Sequence, residues 1–436
     1  MRKEWLLAIT TTLLTLAVGL LGLRWLAPQL FGVPIDLRLV AVDDSRVPFF
    51  ELLFAQEGLG GNALSVPDPY TVQRGTGLLP SSNSAGPHDL AGFRNAGIPA
   101  VVDIIALGDS QTYGLGATMA ESWPHQVEAR LAGTSTYSMA FGGWSAPQYL
   151  YALGHGLRLQ PRVVVVAFYT GNDPLEAYTQ VYGSPHFAEF QHPSGVQPDE
   201  PPKVQFPAVR EEQWRVDLPG DRWLHFTPHV RRINVMAHPS ADEGWRILGE
   251  IAKKMVEIVR DHGAEIRFTI IPTRELAYLP LLQSLNISLE PEFAGLVEEE
   301  SRRIAAFSQH LERAAPGSYV EVTTALQAAV LRGEFVYPNG VDGHPTAAGH
   351  AAIAEALAIA LKPLIPSPPC GDFRLVDATG GTQWVGIADP RAYWLGGDPN
   401  APGSRELPAF RVRDLAALKQ FSAPNALSPS LCQGDG

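Results

Sequence analysis

Short apolar runs alternate with longer helical patterns along residues 96–365. Five of these runs are short and rich in β-branched or aromatic residues, which predicts strands. The predicted strands are Val101–Leu107, Tyr137–Phe141, Arg162–Phe168, Glu265–Ile271 and Ser318–Val322. The stretches between them carry apolar residues at helical spacing or are rich in alanine. The predicted helices are Glu121–Leu131, Pro147–Leu159, Ala241–His262, Pro291–Arg313, Thr324–Leu331 and Thr346–Leu361.

The run Arg162–Phe168 (RVVVVAF) is the strongest strand prediction in the chain. It is apolar at nearly every position, which is typical of a strand that is covered on both faces in a parallel sheet. Strands that alternate with helices also indicate an α/β fold with a parallel sheet. In such sheets the functional groups collect at the carboxyl ends of the strands, so the chemistry of the protein is expected there.

The segments outside this pattern predict how the rest of the chain is organised. Residues 28–95 contain clusters of Pro, Gly, Ser and Asn, which indicates an irregular stalk and lead-in before a domain at 96–365. Within that domain, residues 174–240 are predicted to be a loop-rich insertion. Residues 366–436 are rich in Gly and Pro and are predicted to be a C-terminal extension without a clear period.

The first apolar run, Trp5–Leu23, carries no charge and is preceded by Arg2 and Lys3. Its roughly 19 residues would extend ~28 Å as a helix, close to the thickness of a bilayer core. Because positive charge precedes the run, residues 1–27 are predicted to be a single-pass membrane anchor that leaves the rest of the chain extracytoplasmic, in the periplasm or outside the cell. A cleaved signal peptide and a buried helix of a soluble protein are the alternatives; the run is longer than the usual core of a signal peptide.

Composition narrows the classes of function. Of the 436 residues, 45% are hydrophobic, which is enough to bury a large core. The chain has 33 Lys and Arg against 45 Asp and Glu, a net charge of −12, and it has no basic block, so a nucleic-acid partner is not expected. The 41 Gly and 37 Pro residues indicate many loops and disfavour an all-helical bundle.

Two cysteines, Cys370 and Cys432, both lie in the predicted C-terminal extension. So small a number excludes a disulfide-dense scaffold and a four-thiolate zinc site. Because export would place them in an oxidising compartment, a disulfide between them is predicted. It would close a loop of about 60 residues and contribute ~4 kcal/mol in the chain-entropy model. Two unpaired cysteines are the alternative.

Four segments lie at the ends of predicted strands or just before the last predicted helix. They are Gly108–Thr112, Phe141–Gly143, Gly171–Asp173 and Asp342–Pro345. A serine at a strand-to-helix junction is well presented, and a helix N-terminus there favours developing negative charge. Glycine lets a ligand approach the backbone, an Asn amide donates to an oxyanion, and a carboxylate near a histidine orients the imidazole. Each segment alone is also an ordinary cap or turn, so it is their order along successive α/β units that points to chemistry.

Blocks with Ser, Gly, Asn and Asp/His in this order resemble those of the SGNH (GDSL-type) hydrolase superfamily, of the exported, membrane-anchored bacterial type. The resemblance covers residues 90–362 and includes the lead-in Ala91–Arg94. It implies a three-layer α/β/α sandwich around the parallel sheet, as in flavodoxin-like folds. It also implies Ser110 as the nucleophile, His344 as the general base and Asp342 as the carboxylate that orients the histidine.

The same resemblance implies an oxyanion hole built from the Ser110 backbone N–H and the Asn172 side-chain amide. Many family members have Asn-x-Gly in the second block, where this chain has Ser138–Ala140. Because only a backbone N–H is needed, the third donor is open between Ala140, Gly142 and Gly143.

The function that the resemblance implies is that of an extracytoplasmic esterase or deacetylase acting on a small-molecule or polysaccharide ester. One alternative is an O-acyltransferase that moves an acetyl group to or from a cell-surface polysaccharide. The other is a non-catalytic carbohydrate-binding or assembly protein with the same fold. No cofactor is expected, because the chain lacks a Walker sequence and a complete dinucleotide fingerprint. No metal is expected either, because Asp342, His344 and His350 would need a further ligand. The sequence points to the membrane as a partner of residues 1–27 and identifies no protein partner.

Overall fold

The structure is a computed structural model. It describes residues 65–365, with gaps at 69, 80–85, 100, 132, 196, 200–213, 220–221, 229–230, 233–237 and 341, and four strands between residues 373 and 412. The predicted anchor at 1–27 lies outside the described residues. Cys370 and Cys432, with their predicted disulfide, also lie outside them.

The elements are numbered along the chain. The strands are β1 (Ser65–Asp68), β2 (Val72–Gly75), β3 (Ile104–Gly108), β4 (Thr136–Ala140), β5 (Val163–Tyr169), β6 (Trp214–Leu218), β7 (Arg222–Phe226), β8 (Glu265–Ile271), β9 (Tyr319–Val320), β10 (Phe373–Asp377), β11 (Gln383–Asp389), β12 (Ala392–Gly397) and β13 (Ala409–Val412). The helices are α1 (Ser110–Tyr113), α2 (Trp123–Arg130), α3 (Ala146–Gly156), α4 (Asp173–Gly183), α5 (Pro239–Asp261), α6 (Arg274–Ser284), α7 (Pro291–Ala314), α8 (Thr323–Leu331) and α9 (Ala347–Leu361).

The central sheet has five strands in the order β4–β3–β5–β8–β9, and all neighbouring strands run parallel. Counted along the chain, this is the order 2-1-3-4-5 of doubly wound, flavodoxin-like folds. The order reverses between β3 and β5, and ligands of doubly wound sheets bind at this switch point, outside the carboxyl ends of the strands. The predicted α/β/α fold with a parallel sheet is therefore confirmed, and each of the five predicted strands is present with ends shifted by a few residues.

Strand β5 is buried at every position. Val163, Val165 and Ala167 belong to a core cluster shared with α2, α6, α8 and α9. Phe168 faces the opposite layer, where its ring packs against that of Phe307 with centroids 5.2 Å apart. Helices α3, α4 and α7 pack against α5. Side chains of a strand alternate between its two faces, so a strand between two helical layers needs an apolar residue at every position.

Four elements of the domain were not predicted. Helix α4 and strands β6 and β7, which pair as an antiparallel hairpin, lie in the segment predicted to be loop-rich. Helix α6 follows β8, where no helix was predicted. Helices α4 and α6 are hard to predict from the sequence because each contains a proline, Pro174 and Pro280, and proline usually ends or breaks a helix. Pro174 is tolerated because it stands in the first turn, where its missing N–H has no intrahelical partner.

Part of the segment predicted to be a stalk packs against the domain. Strands β1 and β2 pair as an antiparallel hairpin, and the buried Trp144 indole N–H donates to the Gln73 carbonyl at 2.8 Å. Downstream, the His88 ring is hydrogen-bonded to the Thr76 carbonyl at 2.8 Å and to the Tyr113 hydroxyl at 2.7 Å. The bonds from Trp144 and Tyr113 join residues far apart in the chain, so local periodicity does not reveal them.

Strands β10–β13 form a four-stranded sheet of their own, in the order β12–β11–β10–β13. Strand β10 pairs antiparallel with β11 and parallel with β13. The segment predicted to lack a clear period thus contains regular structure. Its strands are separated by stretches that contain Gly and Pro, and these residues obscure the pattern that predicts strands.

Within the part of the chain that the structure describes, one helical stretch, Ala347–Leu364, is long and apolar enough to cross a membrane. It contains α9, and 44% of it is buried in the domain. Ile353, Leu357 and Leu361 are fully buried in the core cluster. The apolar composition of this stretch is that of a helix packed between its neighbours, and the stretch is not the predicted anchor.

Candidate active site

Ser110 lies at the carboxyl end of β3, beside the switch point of the sheet. It is the first residue of α1, which Asp109 caps by accepting the Gln111 N–H at 2.9 Å. Gly108 allows the tight turn, because a Cβ there would lie only 2.0 Å from the Thr112 hydroxyl oxygen. The local sequence therefore brings the serine hydroxyl to the end of the sheet on a short, capped helix.

Ser110, His344 and Asp342 are joined by hydrogen bonds. The distance from Ser110 Oγ to His344 Nε2 is 2.9 Å, and His344 Nδ1 lies 2.6 Å from Asp342 Oδ1. The same carboxylate oxygen accepts the His344 backbone N–H at 3.0 Å. Because the carboxylate accepts from Nδ1, Nε2 is the nitrogen left to take a proton from the serine.

The loop that carries Asp342 and His344 is held by Arg274, the first residue of α6. Arg274 Nη1 donates to the carbonyl oxygens of Gly340 at 2.6 Å and of Asp342 at 3.1 Å. The Arg274 side chain is buried, and its guanidinium lies 5.7 Å from the centre of the Phe226 ring. By contrast, the Asp342 side chain is 51% exposed. Its pKa is lowered, chiefly by the hydrogen bond from His344, so it is a carboxylate at neutral pH.

Asn172 lies on the other side of the switch point, between β5 and α4. Its Nδ2 donates to Glu176 Oε1 at 3.1 Å. Burial raises the pKa of Glu176 to about 8 and that of the neighbouring Asp109 to about 6. Glu176 is therefore largely protonated at pH 7, so Asn172 Nδ2 donates to a carboxyl group that is mostly neutral.

Asp173 completes a cluster of three buried carboxyl groups with Asp109 and Glu176. Its carboxyl accepts the Tyr169 N–H at 3.0 Å and the Tyr149 hydroxyl at 3.0 Å. Burial, and then the charge of Asp109, raise the pKa of Asp173 well above its ordinary value.

In the described ranges, no group of three or more His, Cys, Asp or Glu side chains is placed to hold a metal ion.

The second block also lies beside the serine. A Cβ built on Gly142 would be 3.8 Å from the Ser110 Cβ, and Gly142 and Gly143 both line the pocket over the serine. A Cβ built on Gly143 would instead face Gln73 Nε2, at 3.3 Å. Ala140 is the last residue of β4 and is almost fully buried. Of the three residues whose backbone N–H the sequence left open as a donor, Gly142 therefore has its Cβ direction toward Ser110.

A pocket of about 350 Å³ opens over Ser110 and His344. Its other lining residues are Ser65, Gln73, Tyr113, Leu115, Phe141, Gly142 and Gly143. This volume lies near the lower end of the ~300–1,000 Å³ typical of small-molecule sites. The space beside the serine suits a small group.

The structure places the predicted residues Ser110, Asn172, Asp342 and His344 at one end of the sheet. Two further residues near the site were not predicted from the sequence. Arg274 follows the end of β8, a position that carries the same signal as those of Ser110 and Asn172. Gln73 carries no local signal, because it belongs to a hairpin within the predicted stalk.

A doubly wound parallel sheet with a hydrogen-bonded Ser–His–Asp chain at its switch point is the arrangement of an α/β/α serine hydrolase. The sequence matches the model of the GDSL-like Lipase/Acylhydrolase family over residues 106–352, more than half of the chain. The protein belongs to this family, and the resemblance to SGNH (GDSL-type) hydrolases is confirmed. It is an enzyme of the type that acts on ester bonds.

Several solved structures are similar to this chain. The structure of TesA is 18% identical, with a TM-score of 0.33, and the match covers 60% of this chain and 99% of that one. An extracellular lipase from Streptomyces rimosus is 13% identical, with a TM-score of 0.35 and coverage of 60% and 100%. A catalytic mutant of Axe2, an acetylxylan esterase from Geobacillus stearothermophilus, is 12% identical, with a TM-score of 0.33 and coverage of 62% and 99%. No curated protein gives a significant match to the sequence.

Replacing Arg274 with methionine is expected to lower kcat by roughly 10- to 100-fold with little change in KM. Methionine fills much of the same space but cannot donate to the Gly340 and Asp342 carbonyls. The loop would then no longer hold His344 at hydrogen-bonding distance from Ser110. The measurement is steady-state hydrolysis of 4-nitrophenyl acetate by the folded variant.

The matched control for this prediction is Arg332→Met, because Arg332 pairs only with the exposed Glu334 among the described residues. That variant should keep the wild-type kcat. A lower melting temperature for Arg274→Met, with an unchanged kcat of the folded fraction, would contradict the prediction.

A buried glutamate joins the ends of β5 and β8 near the site. Glu300, in α7, accepts hydrogen bonds from the Thr170 hydroxyl at 2.5 Å and from the N–H and hydroxyl of Thr273 at 2.7 and 2.5 Å. These threonines stand shortly before Asn172 and Arg274 in the chain. Burial raises the pKa of Glu300 to about 7.

Glu300→Gln is expected to remove part of the pH dependence of stability between about pH 4.5 and 7. The folded-state pKa lies above the unfolded value, so the native state holds the proton more tightly. The stability contributed by this group is fully present below the unfolded pKa and is lost as the pH rises through the folded one. The expected gain of the variant relative to wild type between pH 4.5 and pH 8 is ~3 kcal/mol, measured by urea unfolding of the full-length protein.

The difference in the free energy of unfolding between Glu300→Gln and wild type reports on Glu300 alone, because the other titrating groups are the same in both proteins. Burial lowers the pKa values of five described histidines, and this opposes the effect at acidic pH. These histidines are His88, His125, His155, His225 and His350. Glu298→Gln, on the exposed side of the same helix, is the matched control and should follow the wild-type curve. Parallel curves for Glu300→Gln and wild type would contradict the prediction.

Proposed function

We propose that this protein is a serine esterase in which Ser110, His344 and Asp342 form the catalytic triad. The observation that carries the proposal is the continuous chain of hydrogen bonds, 2.9 Å from serine to histidine and 2.6 Å from histidine to aspartate. The distances match those expected for a nucleophile, its base and the group that orients the base. The proposed substrate class is a small ester, either a free small molecule or an ester group on a polysaccharide.

The proposed reaction proceeds through an acyl-enzyme. Ser110 Oγ attacks the carbonyl carbon while His344 Nε2 takes the hydroxyl proton. The C–O bond to the alcohol then breaks, and His344 gives the proton to the departing oxygen. Water repeats the sequence on the acyl-enzyme and releases the acid. Asp342 holds the histidine tautomer; because this carboxylate is half exposed, its charge is partly screened and its main role is orientation.

The proposed oxyanion hole consists of the Ser110 and Gly142 backbone N–H groups and the Asn172 amide. Negative charge develops on the carbonyl oxygen in the transition state, and donors held in place beforehand stabilise it strongly. The Asn172 amide is hydrogen-bonded to Glu176 and to Asp109 in this structure, so it donates to the oxyanion by exchanging one of these carboxyl partners for the developing charge. The position of Gly142 beside Ser110 supports its role as the third donor.

The experiment that tests this function is labelling with a fluorophosphonate, followed by mass spectrometry and by an assay with an acetyl ester. Modification of Ser110 together with release of acetate supports the esterase. An acetyl group that passes to an added carbohydrate in preference to water would replace hydrolysis by acyl transfer. Absence of both labelling and turnover would favour a non-catalytic carbohydrate-binding or assembly role.

We further propose that residues 1–27 anchor the enzyme in a membrane, with the hydrolase domain extracytoplasmic. The uncharged run Trp5–Leu23 after Arg2 and Lys3 supports this location. Full-length protein is expected to sediment with membranes, to resist extraction by high salt and to retain its first residues. An intact mass that lacks the N-terminal run would instead identify a cleaved signal peptide.

A further inference from the structure

The β1–β2 hairpin supplies one wall of the pocket. Ser65 and Gln73 lie on this hairpin, and both line the same pocket as Ser110 and His344. The region matched by the family begins at residue 106, so this wall is not part of the matched region. Binding residues are found disproportionately on connecting segments that a rigid scaffold positions, so the placement of this hairpin beside Ser110 suits a role in substrate binding.

The hairpin is held firmly against the second block. The indole N–H of the fully buried Trp144 donates to the Gln73 carbonyl at 2.8 Å, and Gln73 Nε2 donates to the Gly142 carbonyl at 3.1 Å. At the turn of the hairpin, the Tyr70 ring stacks on that of Tyr151 with centroids 4.9 Å apart. A side chain that is already oriented loses little conformational entropy when it binds a ligand.

The chemistry of the pocket wall is polar but uncharged. Gln73 offers its Oε1 as an acceptor and its second Nε2 hydrogen as a donor, and the Ser65 hydroxyl can do both. Tyr113, Leu115 and Phe141 make the rest of the lining largely apolar. None of the described residues that line the pocket is Lys, Arg, Asp or Glu. Neutral hydroxyl groups fit this wall, whereas a phosphate or carboxylate would have no cation there.

We propose that Gln73 and Ser65 form a specificity subsite that hydrogen-bonds hydroxyl groups on the alcohol portion of the ester. The inference rests on the proposed triad, because His344 must pass its proton to the departing alcohol and lines the same pocket. The small volume of the pocket favours a short acyl group beside this alcohol. The enzyme therefore prefers short-chain esters of polyhydroxylated alcohols to those of simple alcohols.

The test uses two acetate esters with the same carbon skeleton, propyl acetate and 2,3-dihydroxypropyl acetate, and measures acetate release by the full-length enzyme. Wild type is expected to favour the dihydroxy ester by about tenfold in kcat/KM. Gln73→Leu and Ser65→Ala should each reduce this preference by about fivefold, the usual effect of one lost hydrogen bond.

The ratio of kcat/KM for the two esters distinguishes a loss of substrate specificity from a general loss of active-site structure. Gln73→Leu also removes the bond to the Gly142 carbonyl, which would slow both esters alike and leave the ratio unchanged. Ser65→Ala tests the same subsite without that bond. Gln327→Leu, whose amide binds the Leu276 carbonyl in the helical layer, is the matched control and should keep the wild-type ratio.

The outcomes also separate this inference from the proposed function. Wild-type enzyme that reacts with a fluorophosphonate and hydrolyses propyl acetate as well as the dihydroxy ester would overturn the subsite and leave the triad intact. The same conclusion follows if both hairpin variants keep the wild-type preference. A wild-type protein that neither reacts with the fluorophosphonate nor hydrolyses either ester would overturn both.

Discussion

Alanine at position 110 is expected to lower the turnover of an activated acetyl ester by on the order of 10⁴-fold or more. A serine hydroxyl is a weak nucleophile unless a base takes its proton, and His344 Nε2 is 2.9 Å from Ser110 Oγ. His344→Ala should cause a comparable loss. Because the two residues act as a unit, the double variant should be little worse than either single one. The measurement is kcat for each folded variant with 4-nitrophenyl acetate.

The control for these variants is Ser122→Ala. Ser122 is a buried serine directly before α2, and its hydroxyl donates to the Met119 carbonyl at 2.7 Å. Its replacement therefore tests whether the loss of a buried, hydrogen-bonded serine is enough to disturb activity. It should leave kcat near the wild-type value. Wild-type turnover by Ser110→Ala, or strictly multiplicative losses in the double variant, would show that the assigned pair is not the nucleophile and its base.

Asn172→Ala is expected to lower kcat by about 10²–10³-fold while KM changes little. The amide stabilises charge that exists only in the transition state, so kcat and kcat/KM should fall together. Asn172→Asp should be no better, because a carboxylate would repel the oxyanion and adds a fourth acid to the cluster of Asp109, Asp173 and Glu176. The measurement is steady-state kinetics with one acetyl ester for all three proteins.

The amount of fluorophosphonate-reactive enzyme is the internal standard for the Asn172 variants, because it counts the sites in which Ser110 and His344 are intact. A raised KM with an unchanged kcat would assign Asn172 to substrate binding instead of to the oxyanion hole. Unchanged kinetics for Asn172→Ala would remove it from the site altogether.

The neutral state of Glu176 matters to this proposal. With a pKa of about 8, Glu176 is protonated at neutral pH and binds Asn172 Nδ2 without placing a full negative charge beside the oxyanion. As the pH rises past this value, the same group becomes an anion next to the proposed hole. The charge state of Glu176, which follows β5, thus affects the electrostatic potential beside Ser110 through the buried cluster that it forms with Asp109 and Asp173.

The sheet was predictable from the sequence because its central strands are buried on both faces. The run Val163–Phe168 (VVVVAF) in β5 is apolar at every position, and a run so short and so rich in valine is typical of a strand between two helical layers. Helix α6 was not predictable in the same way, because Pro280 interrupts it and its apolar face is weakly marked. The same limit applied to the hairpin at 65–75, whose four-residue strands are stabilised by Trp144 and Gly142 from outside the segment.

The sequence by itself determined the α/β fold class, the order of the Ser, Gly, Asn and Asp/His blocks and their positions at strand ends. These features are local: they follow from the spacing of apolar residues and from short motifs at the junctions. Only the tertiary structure decided that Gln73 lines the pocket, that Arg274 holds the Asp342–His344 loop and that burial raises the pKa of Glu176. Each of these depends on burial or on a contact between residues distant in the chain, and burial and contact arise only when the sheet and its helical layers come together.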